Sequence, residues 1–115
     1  MTKAILVVSS HPSAPDREDE YNDWYTNVHL GDIVNLPGFA AATRYQIVDV
    51  QANEDVEPLP RKYLAIYELD TDDVESAAIA LKTSVANGEV LVSEALHPEN
   101  LTADFYVPIP GAERP

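Results

Sequence analysis

The sequence has no cysteine, one tryptophan, one methionine and only four glycines in 115 residues. The absence of cysteine excludes disulfides, thiolate catalysis, iron–sulfur clusters and cysteine-ligated zinc. No apolar run approaches the roughly 20 residues that a membrane-spanning helix needs. The apolar stretch within MTKAILVVSSHP is also too short for a signal peptide. We therefore expect a cytoplasmic protein with no membrane contact.

Positive charge is scarce as well. Seven Lys and Arg residues stand against 20 Asp and Glu residues, which gives a net charge of -13 at pH 7. Such a charge repels polyphosphate, so nucleic acid is not an expected partner. The sequence has no glycine-rich phosphate loop, dinucleotide fingerprint or nucleophile elbow. We therefore expect no nucleotide or flavin, and no other cofactor.

Hydrophobic residues make up 45% of the chain, and residues 1–115 are expected to form a single domain around one core. Apolar and β-branched runs predict strands, and apolar spacings of three and four predict helices. The predicted elements are a strand over 3–10, a helix over 16–36, strands over 38–50 and 62–70, a helix over 71–89 and a strand over 101–109. The polar segment 51–61 is expected to be a surface connection. The pattern of residues 90–100 fits either a short helix or a loop.

This order, β-α-β-β-α-β, predicts a ferredoxin-like α+β fold, in which a four-stranded antiparallel sheet carries both helices on one face. The strands have apolar residues on both faces, and the chain has no third layer to offer. The simplest cover for the second face is the same sheet of another copy. We thus expect a homodimer that forms a dimeric α+β barrel.

The second helix has signals at both ends. Asp72 and Glu75 are spaced as a capping box, and Asn87-Gly88 is a typical stop. Its predicted apolar face consists of Val74, Ala77, Ala78, Leu81 and Val85.

The first helix turns polar side chains toward its buried side. At 100° per residue, one arc roughly 140° wide contains both the apolar positions and two groups with acid–base chemistry. The residues on this arc are Trp24, Tyr25, Val28, His29, Asp32 and Leu36, and those behind it are Asp23, Thr26 and Asn27. The helix is expected to stop by Pro37-Gly38.

The segment DREDEYNDWYTNVHLGDIVNLPGFAAATRYQ, residues 16–46, resembles the dimeric α+β barrel superfamily, especially its small EthD-like proteins. The matching positions are Trp24, Tyr25, His29, Asp32, Arg44 and Tyr45. Gly31 departs from the pattern, because many members have proline there. The resemblance implies a ferredoxin-like fold, a homodimer and a pocket between the sheet and the helices. Its members include polyketide cyclases, dehydratases, isomerases, cofactor-independent monooxygenases and haem enzymes, so the fold does not fix the reaction.

His29 is the candidate general acid or base, since an imidazole exchanges protons near neutral pH, but it is equally a candidate packed core residue. Asp32 either orients the imidazole or caps a helix that breaks near Gly31. Tyr25 either donates a hydrogen bond to an enolate or fills the core. Trp24 is a candidate packing anchor or a stacking surface for a ligand.

Arg44 and Tyr45 must point to opposite faces of their strand. Arg44 is either a clamp for a substrate carboxylate or part of an inter-subunit salt bridge. His11 follows the first strand, at the expected pocket mouth, and His97 precedes a proline in an expected surface loop. The histidines have no paired spacing, so no metal and no haem are expected.

These residues lead to a hypothesis of a cofactor-independent acid–base enzyme. It would dehydrate, cyclise or isomerise a small carbonyl-bearing or polyketide-like aromatic substrate, with His29, Asp32 and Tyr25 as catalytic groups and Trp24, Arg44, Tyr45 and His11 contacting the substrate. Two alternatives are a cofactorless monooxygenase, and a small-molecule-binding or structural dimer without turnover.

Overall fold

The computed structural model describes residues 2–48, 50, 62–99 and 101–115. The predicted segment 51–61 therefore lies outside the described residues. The strands are β1 (Thr2–Ser10), β2 (Phe39–Gln46), β3 (Tyr63–Thr71) and β4 (Thr102–Tyr106). The segment between β1 and β2 is helical in several parts, and the longest helix, α3 (Val74–Ala86), lies between β3 and β4.

These four strands form one antiparallel sheet in the order β2-β3-β1-β4. That order, with β1 and β3 in the centre, is the ferredoxin-like arrangement, so the predicted fold class is confirmed. The predicted hairpin partners β2 and β3 are antiparallel neighbours. No helix in the described ranges is long and apolar enough to cross a membrane.

The first helical segment is not the uniform helix that periodicity predicted. It begins with a 3₁₀ turn at Pro15–Arg17 and continues as α1 (Glu18–Trp24), a π turn (Tyr25–His29) and α2 (Leu30–Val34). The irregularity therefore precedes Gly31, the position near which a helix break was one of the two interpretations of Asp32. Val28, predicted on the buried arc, is 48% exposed. The wider π turn rotates less per residue, which leaves Val28 outside that arc.

The core lies between one face of the sheet and the helices. Residues paired across the strands share a face, and the partners Leu6 and Tyr67 on β1 and β3 are both buried on the helical side. The other buried residues of these two strands that face the helices are Ala4, Val8, Ser10, Tyr63, Ala65 and Leu69. Tyr21, Tyr25 and Ile33 complete this core from the first helical segment.

The opposite face of the sheet, which we call the open face, carries Ile5, Val7, Leu64 and Ile66 from the central strands. These four residues are only half-buried, and Tyr45 and Tyr106 on the outer strands are exposed. An apolar face of this kind is what the sequence predicted as a surface to be covered by a second copy.

Helix α3 lies almost where predicted, but its N-cap is one residue later. Asp73, not Asp72, occupies the cap position, and its carboxylate accepts from the Ser76 backbone N–H and side-chain hydroxyl. The predicted Asp72–Glu75 capping box is therefore wrong. Val85, predicted on the apolar face, is exposed, and Ser84 is buried in its place. Residues 90–99 form turns and no helix, with Val90 and Ala95 buried.

Candidate functional site

A row of aromatic rings along the first helical segment places His29 in the core. Tyr21, Tyr25 and His29 are spaced by four residues, and consecutive rings in this row are 5.6 Å and 4.9 Å apart. The backbone N–H of Leu30 donates to the Tyr25 carbonyl five residues earlier, which closes the π turn. Single π turns within α-helices occur often at functional sites.

His29 is enclosed by aromatic surface. His29 is only 7% exposed. Its ring stacks on that of Trp24, with the ring centres 4.5 Å apart and an interplanar angle of 28°. Tyr25 meets the same imidazole edge-on at 87°. His29 Nδ1 is buried and has no hydrogen-bond partner. A buried polar atom without a partner is uncommon in a purely structural role, because an unpaired group there is destabilising.

Burial lowers the pKa of His29 to about 4, and the negative charge of Asp32 raises it by a smaller amount. His29 is therefore neutral at pH 7. Asp32 acts on the ring through its charge, because no hydrogen bond joins these two described side chains. Asp32 also makes no cap hydrogen bond within α2, so its expected role as a helix cap is not found.

Three buried tyrosines, two of them members of the row, lie at its inner end. Tyr21 and Ser10 share a buried hydrogen bond of 2.6 Å, and Tyr67 donates to Tyr25 over 3.4 Å. Burial raises the pKa of Tyr25 to about 12, and it also raises the pKa of Tyr21 and Tyr67. All three phenols therefore keep their protons at neutral pH and can donate hydrogen bonds.

Arg44 lies on the helical side of β2, opposite Ala65. Its guanidinium carbon is 4.6 Å from the ring centre of Tyr25, 5.3 Å from that of Tyr21 and 5.2 Å from that of Tyr63. Nη1 donates to Thr26 Oγ1 at 2.9 Å, whereas Nη2 is buried without a hydrogen-bond partner. Because Arg44 faces the helices, it does not project from the open face where the expected inter-subunit salt bridge would form.

A pocket of about 300 Å³ opens beside Arg44, between the first helical segment and strands β2 and β3. It is lined by Asn22, Thr26, Arg44, Tyr45, Gln46 and Tyr63. We call it the Arg44 pocket. Asn22 Nδ2 donates to the Tyr63 hydroxyl at 3.1 Å, and that hydroxyl also contacts Glu18. Its position between sheet and helix is the one implied by the resemblance, although His29 is not among its lining residues.

A second groove of about 430 Å³ lies at the other end of the sheet, near Lys3, Glu68, Asp70 and Tyr106. These four side chains belong to the open face. The groove is thus separate from the aromatic row and from the Arg44 pocket.

His11 lies outside both the aromatic row and the lining of the Arg44 pocket. Instead its ring lies 4.7 Å from that of His97, next to a bridge between Pro12 and Leu96. Sequence spacing gave no signal for this pair, since 86 positions separate them and the intervening fold brings them together. Within the described residues, no group of three or more metal-ligating side chains is found.

Of the predicted site residues, the structure brings Trp24, Tyr25, His29 and Arg44 into one contiguous cluster, with Asp32 near its end. Tyr45 points to the other face and reaches the rim of the pocket. Six further residues of the site were not predicted from the sequence: Ser10, Tyr21, Asn22, Thr26, Tyr63 and Tyr67. The even spacing of Tyr63, Ala65 and Tyr67 on β3 was the available signal, because alternate residues of a strand share one face.

The chain has a ferredoxin-like α+β fold, and it shares this fold with several solved structures. An ethyl tert-butyl ether D (EthD) family protein from Bacillus halodurans C-125 is similar with a TM-score of 0.62 and 19% identity, over 95% of this chain and 100% of that one. A candidate monooxygenase from Shewanella loihica PV-4 has a TM-score of 0.55 and 18% identity, over 94% of this chain and 95% of that one. A monooxygenase from the gene ActVA-Orf6 of Streptomyces coelicolor, solved in complex with nanaomycin D, has a TM-score of 0.50 and 16% identity, over 99% of this chain and 93% of that one.

At these identities the similarity establishes the fold. The resemblance to EthD-like proteins noted in the sequence is thereby confirmed at the structural level. No protein-family model matches the chain. No curated protein is significantly similar to it.

Proposed function

We propose that this chain is a cofactor-independent enzyme that moves a proton on a small carbonyl-bearing or polyketide-like aromatic molecule. The observation that carries the proposal is the buried, unpartnered Nδ1 of a neutral His29 in an aromatic cluster. An imidazole with a pKa of about 4 is present almost wholly as the free base at pH 7. In this form His29 would accept a proton from carbon, as a weaker base than a solvated histidine.

Tyr25 and Asp32 support this step in different ways. The Tyr25 phenol touches the His29 ring and keeps its proton, so it donates a hydrogen bond to the developing enolate oxygen. The Asp32 charge favours the protonated imidazole that forms during the step. The Arg44 pocket would admit the substrate beside Arg44, whose guanidinium contacts the Tyr25 ring.

A cofactorless monooxygenase is the second candidate. The observation in its favour is that two of the structurally similar proteins are described as monooxygenases, one of them with a bound ligand. In such a reaction the base would generate the substrate anion and oxygen would then react with it. Trp24 and Tyr25 would lie beside that anion.

A binding or structural dimer is the third candidate. The observation in its favour is that His29 lines neither the Arg44 pocket nor the groove on the open face. In that case the aromatic row serves packing and the pocket holds a ligand without changing it.

Anthrone is a test substrate that distinguishes the three candidate functions. Its methylene hydrogens, between two aromatic rings, are acidic, and its anion reacts with oxygen. Under nitrogen in D₂O, NMR measures hydrogen exchange at its methylene carbon. In air, an oxygen electrode measures whether one O₂ disappears for each anthraquinone and water formed. Proton transfer predicts enzyme-dependent exchange without oxygen uptake, whereas the monooxygenase predicts both.

The matched variants are His29→Gln and His97→Gln. We expect exchange above the buffer rate in the wild type and in His97→Gln, and near-background exchange in His29→Gln. Circular dichroism checks that each variant is folded. A folded His29→Gln protein with the wild-type rate, or a wild type that never exceeds the buffer rate, would argue against the proposal.

We propose further that the protein is a homodimer that pairs the open faces of two sheets. The half-buried residues Ile5, Val7, Leu64 and Ile66 form the centre of this apolar surface. Covering such a face is the ordinary way in which an antiparallel sheet with two apolar faces is stabilised.

A further inference from the structure

The Arg44 pocket contains a positive charge that lacks a negative partner. In the described part of the chain, the surface cation Arg17 pairs with Glu20 at 2.7 Å, and Lys62 pairs with Glu18 at 3.1 Å. Arg44 contacts only a neutral hydroxyl and tyrosine rings there. Arg44 differs from a solvated surface cation because its Nη2 is buried.

The surroundings of Arg44 hold its guanidinium in place. Tyr21, Tyr25 and Tyr63 contact it as a cage of aromatic rings, which stabilises a cation without neutralising it. Nη2 is buried and has no hydrogen-bond partner, and Nη1 donates to the hydroxyl of Thr26, an exposed residue at the pocket wall. Such a guanidinium is already oriented, so little side-chain entropy is lost when it binds a planar two-oxygen anion.

Other polar groups line the same wall. The lining includes the amides of Asn22 and Gln46 and the hydroxyl of Tyr63, which accepts from Asn22 and donates to the carboxylate of Glu18. A carboxylate is acceptor-only and has two oxygens in the spacing that a guanidinium fork matches. The lining carries no carboxylate of its own. The pocket volume of about 300 Å³ suits a group of one or two aromatic rings.

We propose that the Arg44 pocket binds the carboxylate of a small aromatic acid, so that the ligand of this protein carries an anionic group in addition to its reactive centre. The inference deepens the proposed function by naming a substrate class. It is tested by binding alone, so its failure and the failure of the proton-transfer proposal are distinguishable. The net negative charge of the protein opposes anion binding at long range, but salt screens that repulsion beyond about 8 Å at physiological ionic strength.

The test compares 1-naphthoate with its neutral isostere 1-naphthamide by isothermal titration calorimetry at fixed ionic strength. We expect wild-type protein to bind the naphthoate at least about tenfold more tightly, since a charge-assisted bidentate pair is much stronger than a neutral hydrogen bond. Arg44→Met should abolish this preference while retaining the apolar stem. Arg17→Met, which removes a surface arginine paired with Glu20, should leave the preference intact.

Arg44→Lys is the second variant, because Arg44→Met removes the cation that the three tyrosine rings contact and so also tests the folded state. It retains the charge but lacks the fork, so the preference should fall several-fold in a folded protein. The wild-type comparison needs no variant at all. Equal binding of naphthoate and naphthamide, binding of neither, or a full preference in folded Arg44→Lys or Arg44→Met would each overturn the proposal.

Discussion

Trp24 and His29 stack at 4.5 Å although five residues separate them along the helix. In a regular α-helix, residues five apart lie about 140° apart around the axis, which keeps their side chains from stacking. The π turn at Tyr25–His29 removes this separation. The local backbone irregularity is thus what gives the imidazole its aromatic enclosure and, through that burial, its low pKa.

The first prediction concerns stability against pH. The pKa of His29 is about 4 in the native state and near 6.5 when unfolded. Between these values the unfolded chain binds the extra proton, so native stability is complete above pH 6.5 and is lost progressively toward pH 4. The expected loss is about 3 kcal/mol. Urea unfolding of wild type and His29→Gln from pH 4 to 8 measures it.

The comparison isolates one group, because the carboxylates titrate in both proteins. The stability gap between wild type and His29→Gln should narrow as the pH falls. Parallel curves would mean that His29 is not buried as a neutral ring.

The second prediction concerns the buried hydrogen bond between Ser10 and Tyr21. Both residues are almost fully buried, so removing either hydroxyl leaves the other without a partner. Tyr21→Phe and Ser10→Ala should each lower the free energy of unfolding by about 1–3 kcal/mol. The double variant should lose little more than either single variant, because the unpaired group is then absent. Strictly additive losses in urea unfolding would show that the two hydroxyls do not interact.

The third prediction compares two glycines with similar backbone angles. Gly38 and Gly88 have φ values of 90° and 83°, a region that strongly favours glycine. A Cβ at Gly38 would lie 3.1 Å from the Ala77 Cβ on α3, whereas a Cβ at Gly88 meets nothing within 4 Å. Gly88→Ala should therefore lower stability by about 1 kcal/mol and Gly38→Ala by about 2–3 kcal/mol.

Thermal or urea unfolding of the two glycine variants provides the measurement, with Gly88→Ala as the control for backbone strain alone. Equal losses would indicate that α3 shifts freely away from the turn before β2. A larger loss in Gly88→Ala would contradict the packing at Gly38.

Much of the fold followed from the sequence because its signals are periodic and local. The alternation in β3 and the spacing in α3 identified both elements, and their order determined the sheet topology. The cap of α3 was misplaced by one residue because Asp72 and Asp73 are both good caps, and the Ser76 contact that selects Asp73 exists only in the folded turn.

The candidate site was harder to predict because it depends on phase and on distant contacts. Periodicity alone assumes a uniform turn, so it could not show that a π turn exposes Val28 and stacks Trp24 on His29. The three-tyrosine cage of Arg44 combines the first helical segment with β3, and Tyr21 and Tyr63 are 42 positions apart. Only the assembled sheet brings those rings over one guanidinium.

The last prediction concerns the proposed dimer. Ile66 pairs with Val7 on the open face and is half-buried. Ile79 is 55% exposed on α3, which does not belong to the open face. If two open faces pack together, Ile66→Lys buries a charge at the interface, which is strongly unfavourable. Sedimentation equilibrium should then report a dimer for wild type and for Ile79→Lys, and a monomer for Ile66→Lys. A monomeric wild type, or an Ile66→Lys protein that remains dimeric at micromolar concentration, would contradict pairing through this face.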